Sequence, residues 1–201
     1  MIMKSLKRRI LETMLAMLIT STGIVMMMKA ELGLNPWWTL TTGVSELTGL
    51  SLGLVVQCAG FLLIIVALFL GVKPGITTVL DMFLIGLYID ILNKIVPSLP
   101  NNLILQLLAC IMGVIVFSLG VSLTVSIGLG AGPKDSFTFA VMKKTHTSVG
   151  KMKLVVESST FIIGLLLGGP FGIGTIVATV LTGHMQSYFY KKLNYNPEAI
   201  I

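Results

Sequence analysis

Charge and cysteine are both scarce in this chain. Only 11% of its 201 residues are charged, whereas 55% are hydrophobic, and a soluble domain of this size could not bury that much apolar surface in one core. Its two cysteines, Cys58 and Cys110, lie inside apolar runs, which argues against a disulfide framework or a metal site. With a mean hydropathy of +0.97, the composition indicates an integral membrane protein.

The chain also lacks the sequence patterns of common enzymes and nucleic-acid-binding proteins. It contains neither His-Glu-x-x-His nor Gly-x-Ser-x-Gly, and the alternating glycines at 128, 130 and 132 follow no strand that would make them a dinucleotide-binding fingerprint. No basic face with interleaved aromatic residues accompanies the net charge of +6. We therefore expect no enzymatic activity, no cofactor, no metal and no nucleic-acid partner.

Six apolar runs have the length that a helix needs to cross about 30 Å of hydrocarbon. They span roughly residues 11–30, 52–70, 75–93, 102–127, 152–168 and 172–190. Helices are expected because every backbone polar group must be satisfied within its own segment. The sequence thus predicts an all-α polytopic membrane protein with six transmembrane helices.

The basic residues predict how these helices are oriented. If the N-terminus is cytoplasmic, twelve lysines and arginines fall on the cytoplasmic side and only Lys29 and Lys94 fall on the other side. Such a bias is typical of the positive-inside rule. Both termini are therefore predicted to be cytoplasmic.

The two halves of the sequence are related to each other. A shift of 97 residues aligns 18–90 with 115–187 without a gap, with 19 identities in 73 pairs, six of them between glycines. Each half contains three predicted spans, so the second half enters the membrane from the opposite side, as in the inverted repeats of many transporters. We expect one repeat in 1–100, an inverted repeat in 101–192 and a cytoplasmic tail in 193–201.

Each half also contains a Gly-x-x-Pro element after its first span. "GLGAGPKDSF" (128–137) aligns with "ELGLNPWWTL" (31–40). Glycine permits a turn, and proline is well suited to the first position of a helix. Short helices are therefore predicted near 36–48 and 133–146, either re-entrant or lying at the membrane interface.

Several motifs resemble the YczE/YyaS/YitT family of bacterial integral membrane proteins, most closely its YczE branch. They are "GLGAGPKDSF", "TGLSLG" (48–53), "GVKPGITTVLDMFLIGLYID" (71–90) and "LGGPFGIGTIVATVLTGHMQ" (167–186). The resemblance implies a protein of the bacterial cytoplasmic (inner) membrane, in a family with no established biochemical activity, some members of which are linked to secondary-metabolite production. The family's first-half element usually reads Gly-Pro-Trp-Asp, and here residues 35–38 read Asn-Pro-Trp-Trp.

Three ionisable residues inside the predicted spans are the first candidates for function. Asp81, Glu157 and His184 each lie about six residues from a cytoplasmic helix end, or roughly 9 Å deep, and together they would form one polar layer. Charged groups at this depth are costly and usually functional. The alternatives are pairing of Asp81 with Lys73, pairing of Glu157 with Lys153, and a bond from His184 to a neighbouring carbonyl.

The starts of the two short helices supply the remaining candidate substrate-binding residues. They are Asn35, Pro36, Trp37 and Trp38 in the first half and Gly132, Pro133, Lys134 and Asp135 in the second half. A helix start favours anions, so Lys134 and nearby N–H groups would suit an anionic group. Alternatively, Asp135 stabilises its own helix, Lys134 reaches the lipid headgroups, and the tryptophans are interfacial anchors.

Two functions are compatible with these features. One is transport or binding of a small anionic or zwitterionic solute at a pseudosymmetric site near the midplane of the bilayer. The other is a non-transporting membrane scaffold or regulator that supports a partner protein or secondary-metabolite production or export. The small-xxx-small segment "GLLLG" (164–168) would suit helix packing or a homodimer.

The predicted orientation can be tested with reporter fusions. A fusion after residue 100 should report an extracytoplasmic position, and a fusion after residue 192 should report a cytoplasmic one, because of the lysine and arginine bias. Alkaline phosphatase and green fluorescent protein activities measure the two positions. The reverse pattern would contradict the orientation.

Overall fold

Regular structure in the computed structural model is helical throughout the residues that it describes, which are 5–147 and 149–195 without the side chains of 139, 142, 143, 149–151 and 153. The helices are α1 (Leu6–Ala30), α2 (Pro36–Thr48), α3 (Leu52–Phe69), α4 (Ile76–Ile95), α5 (Leu103–Ser126), α6 (Pro133–Thr145), α7 (Val149–Leu166) and α8 (Ile173–Lys192). The predicted all-α class is confirmed. The two short helices begin at the two expected prolines.

Among the described residues, four helices are long and apolar enough to cross a membrane, namely α1, α3, α4 and α5. The predicted spans at 152–168 and 172–190 coincide with α7 and α8, which carry more polar residues. The described apolar part of α7 is Leu154–Leu166, and it contains Glu157. The crossing of the membrane by α7 and α8 therefore stays a prediction.

Local sequence explains where the short helix α2 begins and ends. The Asn35 side chain accepts a hydrogen bond from the Trp38 N–H at 3.3 Å, and Pro36 occupies the first helical position. Gly49 ends the helix in the left-handed conformation, which glycine adopts without steric cost. Ser51 then caps α3 by accepting from the Leu54 N–H at 3.2 Å. The chain thus reverses within three residues between the two helices.

The centre of the molecule is an antiparallel contact between α1 and α5. Gly23 lies against the backbone of Phe117, and Gly120 lies against the backbone of Thr20, so closely that a Cβ on either glycine would overlap its neighbour. The 97-residue shift converts one contact into the other, because Gly23 corresponds to Gly120 and Thr20 corresponds to Phe117. Small residues of this kind let helix backbones approach closely in membranes.

The interior of the bundle contains many hydroxyl groups, and its outer surface is apolar. Thr13, Ser21, Thr77 and Ser118 are fully buried. Large apolar side chains are exposed on the surface, for example Phe61, Leu62, Phe83, Ile104 and Ile162. This arrangement suits a protein surrounded by lipid, because lipid rather than a protein core covers the apolar side chains.

One end of the bundle carries most of the basic residues and is called the basic end below. Here α1 begins and α5 ends, and the Arg9 guanidinium joins them by donating to the carbonyls of Ile127 at 2.6 Å and Gly128 at 3.0 Å. These carbonyls would otherwise lack partners at the end of α5. The basic end corresponds to the predicted cytoplasmic side.

The other helices pack around α1 and α5 in pairs. Helix α4 packs on α1 and α8 packs on α5, while α2 packs on α7 and α6 packs on α3. Helix α3 also packs along α4, but among the described residues α7 and α8 make no comparable contact. Under the 97-residue shift, the contact of α1 with α4 corresponds to that of α5 with α8, and the contact of α2 with α7 corresponds to that of α6 with α3. The contact of α3 with α4 has no such counterpart among the described residues.

Substitution of Gly120 by leucine should destabilise the protein, because the new side chain would meet the Thr20 backbone. Overpacking of this kind costs about 1–3 kcal/mol or more. Gly183→Leu is the matched control, since nothing lies within 4 Å of a Cβ at this position. The apparent Tm in detergent should fall for Gly120→Leu only, and equal values for the two variants would contradict the close contact.

Candidate functional site

The loop after α5 runs along the first turns of α4. The Thr77 N–H donates to the Leu129 carbonyl at 3.2 Å, and the Thr78 hydroxyl donates to the Ala131 carbonyl at 2.7 Å. Gly130 lies against Gly75, with only 3.0 Å between its Cβ position and the Gly75 Cα. These contacts carry the chain from the basic end toward the middle of the bundle before α6 begins.

Asp81 lies at the point where α6 begins. Its Oδ2 atom is 2.5 Å from the position that a Cβ on Gly132 would occupy, so only glycine fits there without a shift. Asp81 is about 8 Å along α4 from the first residue of that helix. Pro133 meanwhile lies 3.5 Å from the Cβ position of Gly60 on α3. The start of α6 is therefore well inside the bundle, and the start of a helix stabilises negative charge.

Lys134 forms an ion pair with Glu157 of α7. The distance from Lys134 Nζ to Glu157 Oε1 is 2.5 Å, and each side chain is 26% exposed. Both residues are among the candidates predicted from the sequence, which suggests Lys153 as the alternative partner of Glu157. The Lys153 side chain lies outside the described residues. The ion pair in the structure therefore connects α6 to α7, whereas a pair with Lys153 would connect two successive turns of α7.

Negative charge exceeds positive charge around the start of α6. Asp135 is close enough to interact electrostatically with Asp81 and with Tyr190 of α8, and the single ammonium group of Lys134 already faces Glu157. No ion pair forms between Asp81 and Lys73 among the described residues. The site therefore offers two further carboxyl groups beside one ion pair.

The first-half counterpart of this region is less polar. The Gly174 N–H of α8 donates to the Leu32 carbonyl at 2.7 Å, which repeats the bond between Thr77 and Leu129 at a shift of 97 residues. The counterpart of Asp81 is Ala178, which is fully buried. Asn35 takes the place of Gly132 and serves as the cap of α2. Among the predicted first-half residues, Asn35 and Pro36 therefore shape the helix start and bring no charge to it.

Trp38 does not lie where an interfacial anchor would lie. Trp38 is only 5% exposed and belongs to the hydrophobic core with Ile24, and Trp37 packs partly buried against the same core. The anchor interpretation is wrong for Trp38. The cause is the position of α2, whose contacts with α7 and α3 bring this indole into the interior of the bundle.

His184 is not part of the charged group at α6. Its Nδ1 atom lies 2.8 Å from the Val180 carbonyl one turn earlier, and the residue is exposed. His184 therefore contacts a neighbouring carbonyl, which was the alternative to a place in the polar layer. Of the predicted polar layer, Asp81 and Glu157 flank the start of α6, and His184 faces a groove on α8.

Asp90 has a role at the end opposite the basic end that sequence reasoning missed. Its spacing from Lys94, one helical turn away, would suit a local pair, but the Asp90 carboxylate accepts from the Ser51 hydroxyl at 2.6 Å and the Gly53 N–H at 2.9 Å. It thus caps α3 from α4. A cavity of about 490 Å³ opens beside it, lined by Thr42, Glu46, Asn93 and Lys94 among others.

Other residues that position the site were also missed. Thr78 binds the loop before α6, and Tyr190 approaches Asp135. Their sequence signal is weak, since a threonine near a helix start and a tyrosine near a helix end are common. For the segment "GLLLG", helix packing or a homodimer was the expectation, and Gly164 packs against the Leu40 backbone of α2 within the chain.

Comparison with known proteins identifies the family. The model of a family of unknown function, DUF6198, matches residues 7–191. The chain belongs to this family. The resemblance to the YczE group noted from the motifs is confirmed, because an "Uncharacterized membrane protein YczE" of Bacillus subtilis is 34% identical over 76% of this chain and 71% of its own length.

Two further relatives support the same assignment. An "Uncharacterized protein" of Haemophilus influenzae is 28% identical over 87% of this chain and 79% of its own length. The "Uncharacterized protein YyaS" of Bacillus subtilis is 25% identical over 87% of this chain and 89% of its own length. No solved structure matches the chain. The protein is therefore a member of a membrane protein family whose activity has to be inferred from the site.

The ion pair between α6 and α7 can be tested by a double-mutant cycle. Glu157→Gln should lower the Tm in detergent, because it leaves the Lys134 ammonium without its partner. Adding Lys134→Met should recover much of that loss, with a coupling energy of about 0.5–3 kcal/mol.

The control is Lys153→Met in the same Glu157→Gln background. It removes the lysine that lies one helical turn before Glu157 in the sequence, whereas the ion pair joins Glu157 to Lys134, so it should leave the Tm where Glu157→Gln put it. Recovery of the Tm by Lys153→Met instead of Lys134→Met would assign the pair within α7 and contradict the geometry described above.

Proposed function

We propose that this protein is a transporter for a small solute, with its binding site at the start of α6 inside the bundle. The observation that carries the proposal is the convergence of Asp81, Asp135 and the ion pair of Lys134 and Glu157 at that point. Ionisable groups at this depth in a membrane protein usually mark a solute or ion pathway.

We further infer that α1, α3 and α4 form one repeat and α5, α7 and α8 form an inverted second one. The support comes from contacts that recur at a shift of 97 residues. Examples are the backbone bonds of Leu32 with Gly174 and of Leu129 with Thr77. In transporters with this plan, the solute site lies between the repeats and is built from helix starts. Six crossings would leave both termini in the cytoplasm.

The charges favour a zwitterionic solute over an anionic one. Asp81 and Asp135 would bind an ammonium group, while Lys134 would bind a carboxylate that displaces or shares its contact with Glu157. A purely anionic solute would meet three carboxyl groups with only one ammonium group to offset them, which is unfavourable. The site thus has groups of both signs for one small molecule.

Uptake into proteoliposomes tests this function. The panel should contain radiolabelled zwitterionic solutes together with the matched anions that lack the ammonium group. Asp81→Asn should lower uptake of the transported zwitterion by about tenfold or more, as expected when a charged hydrogen bond is lost. Glu31→Gln is the control, because this exposed carboxylate lies at the far end of α1, and its uptake should be unchanged.

Two results would contradict the proposal. One is the absence of flux for every solute in the panel from protein that is folded by size-exclusion chromatography, combined with a specific crosslinked membrane partner. That result would favour the scaffold or regulator. The other is equal uptake by Asp81→Asn and the unmodified protein, which would remove the start of α6 from the pathway.

A further inference from the structure

Three hydroxyl groups between α5 and α8 have no hydrogen-bond partner in the part of the chain that the structure describes. They are the Oγ atoms of Ser118 and Ser122 on α5 and the Oγ1 atom of Thr182 on α8, each shielded from solvent. Ser118 and Ser122 are fully buried as whole residues. Buried polar groups in folded proteins are almost always hydrogen-bonded, so an orphaned set of this kind points to a ligand or to water.

The first half of the chain shows that Ser118 faces α8. Its counterpart under the 97-residue shift is Ser21 of α1, whose hydroxyl donates to the Ile85 carbonyl of α4 at 3.5 Å. Ile85 is in turn the counterpart of Thr182. Because α5 packs on α8 as α1 packs on α4, Ser118 lies beside Thr182 in the second half.

One turn further along, the same contact brings Ser122 of α5 to the polar face of α8. Gln186 and Tyr190 follow Thr182 at intervals of four residues, so all three share this face. Tyr190 lies near Ser122, although their hydroxyls are not at hydrogen-bonding distance. The contact therefore contains four polar side chains, called the polar seam below: Ser118, Ser122, Thr182 and Gln186.

The first half has an apolar contact in the place of the polar seam. Val25, Ile85 and Ile89, which belong to the hydrophobic core, occupy the positions that correspond to the last three residues of the seam. Only Ser21 keeps a hydroxyl there, and it has a backbone partner. Burying polar side chains in place of apolar ones is costly unless something binds to them. The seam is thus a departure from the repeat of the same kind as Asp81.

The chemistry of the polar seam suits a small monovalent cation. Its side chains offer three hydroxyl oxygens and one amide carbonyl oxygen, and neutral oxygens of this kind can replace the hydration shell of such an ion. Divalent cations usually require carboxylate ligands. Negative charge comes from the neighbouring start of α6, since Tyr190 adjoins both Ser122 and Asp135. A cation in the seam would therefore be held by neutral oxygens and attracted by nearby carboxyl groups.

We propose that the polar seam binds a sodium ion. The ion has to be small, because Ser118 and Ser122 are already fully enclosed. The seam lies close to the crossing of α1 and α5 at Gly120, and coupling-ion sites of transporters with inverted repeats lie at such a central depth. The role of coupling ion rests on the proposed function, whereas binding of the ion does not, because the seam itself supplies the ligands.

Thermal unfolding in detergent tests the sodium site without any solute. Sodium chloride replaces choline chloride at constant ionic strength, which keeps the screening of charges fixed. The apparent Tm should rise by about 3–6 °C at ten times the dissociation constant, because an ion that binds only the folded state stabilises it. The dependence of this shift on sodium concentration gives the dissociation constant.

The first half of the chain supplies the matched variant. Ser122→Val with Thr182→Ile installs the residues that fill the equivalent positions in the hydrophobic core, so the protein should fold and lose the sodium-dependent shift. Ser118→Ala removes a single oxygen and should weaken sodium binding about tenfold, which decides the question if the double variant does not fold. Thr124→Val is the control, because its hydroxyl already bonds the Gly120 carbonyl at 2.9 Å, and its shift should equal that of the unmodified protein.

Three results would overturn the sodium site. They are an equal Tm of the unmodified protein in the two salts, a shift that persists in the double variant, and a shift that Thr124→Val abolishes as well. The first result would assign the seam hydroxyls to water or to carbonyls of their own helices. Because the measurement needs no solute, the two proposals can fail separately. A sodium-dependent shift without any flux would keep the site and reject transport, whereas flux without a shift would reject the site alone.

Discussion

The close approach of α1 and α5 at Gly23 and Gly120 is the constraint on which the other contacts depend. Because no side chain separates the two backbones there, the helices cross in direct contact near their middles, and α4 and α8 pack against opposite members of the pair. Lipid supplies no hydrophobic drive for helix association, so close backbone packing and interior hydroxyl groups have to provide it. This crossing brings the loop after each of these two helices against the start of a helix from the other half.

Those loop contacts explain how charge is tolerated inside the bundle. The carbonyls of Leu129 and Ala131 are bound by α4, which fixes the start of α6 beside Asp81. The positive end of a helix and a neighbouring ammonium group both stabilise carboxylates. The charged residues are thus held by three helices, α4, α6 and α7, and none of these helices could create the site alone.

The informative residues are those at which the two halves differ. Asp81 faces Ala178 under the 97-residue shift, Asp90 faces Ser187, and Gly132 faces Asn35. Each difference changes a contact in the structure. Asp81 adds a charge at the start of α6, Asp90 connects α4 to the start of α3, and Asn35 caps α2. In the proposed transporter, the shared framework supplies the shape, and these departures supply the chemistry.

The sequence alone determined the helices and their limits, because long apolar runs, prolines at helix starts and glycines at turns act locally. It also determined the family, through motifs of the kind "GLGAGPKDSF". The partners of the charged residues were decided only by tertiary structure. Lys134 pairs with Glu157 across 23 residues and Asp90 caps α3 across 39, whereas sequence reasoning offered Glu157 only Lys153, one turn away. Trp38 likewise became a core residue because of where α2 packs, which no local pattern records.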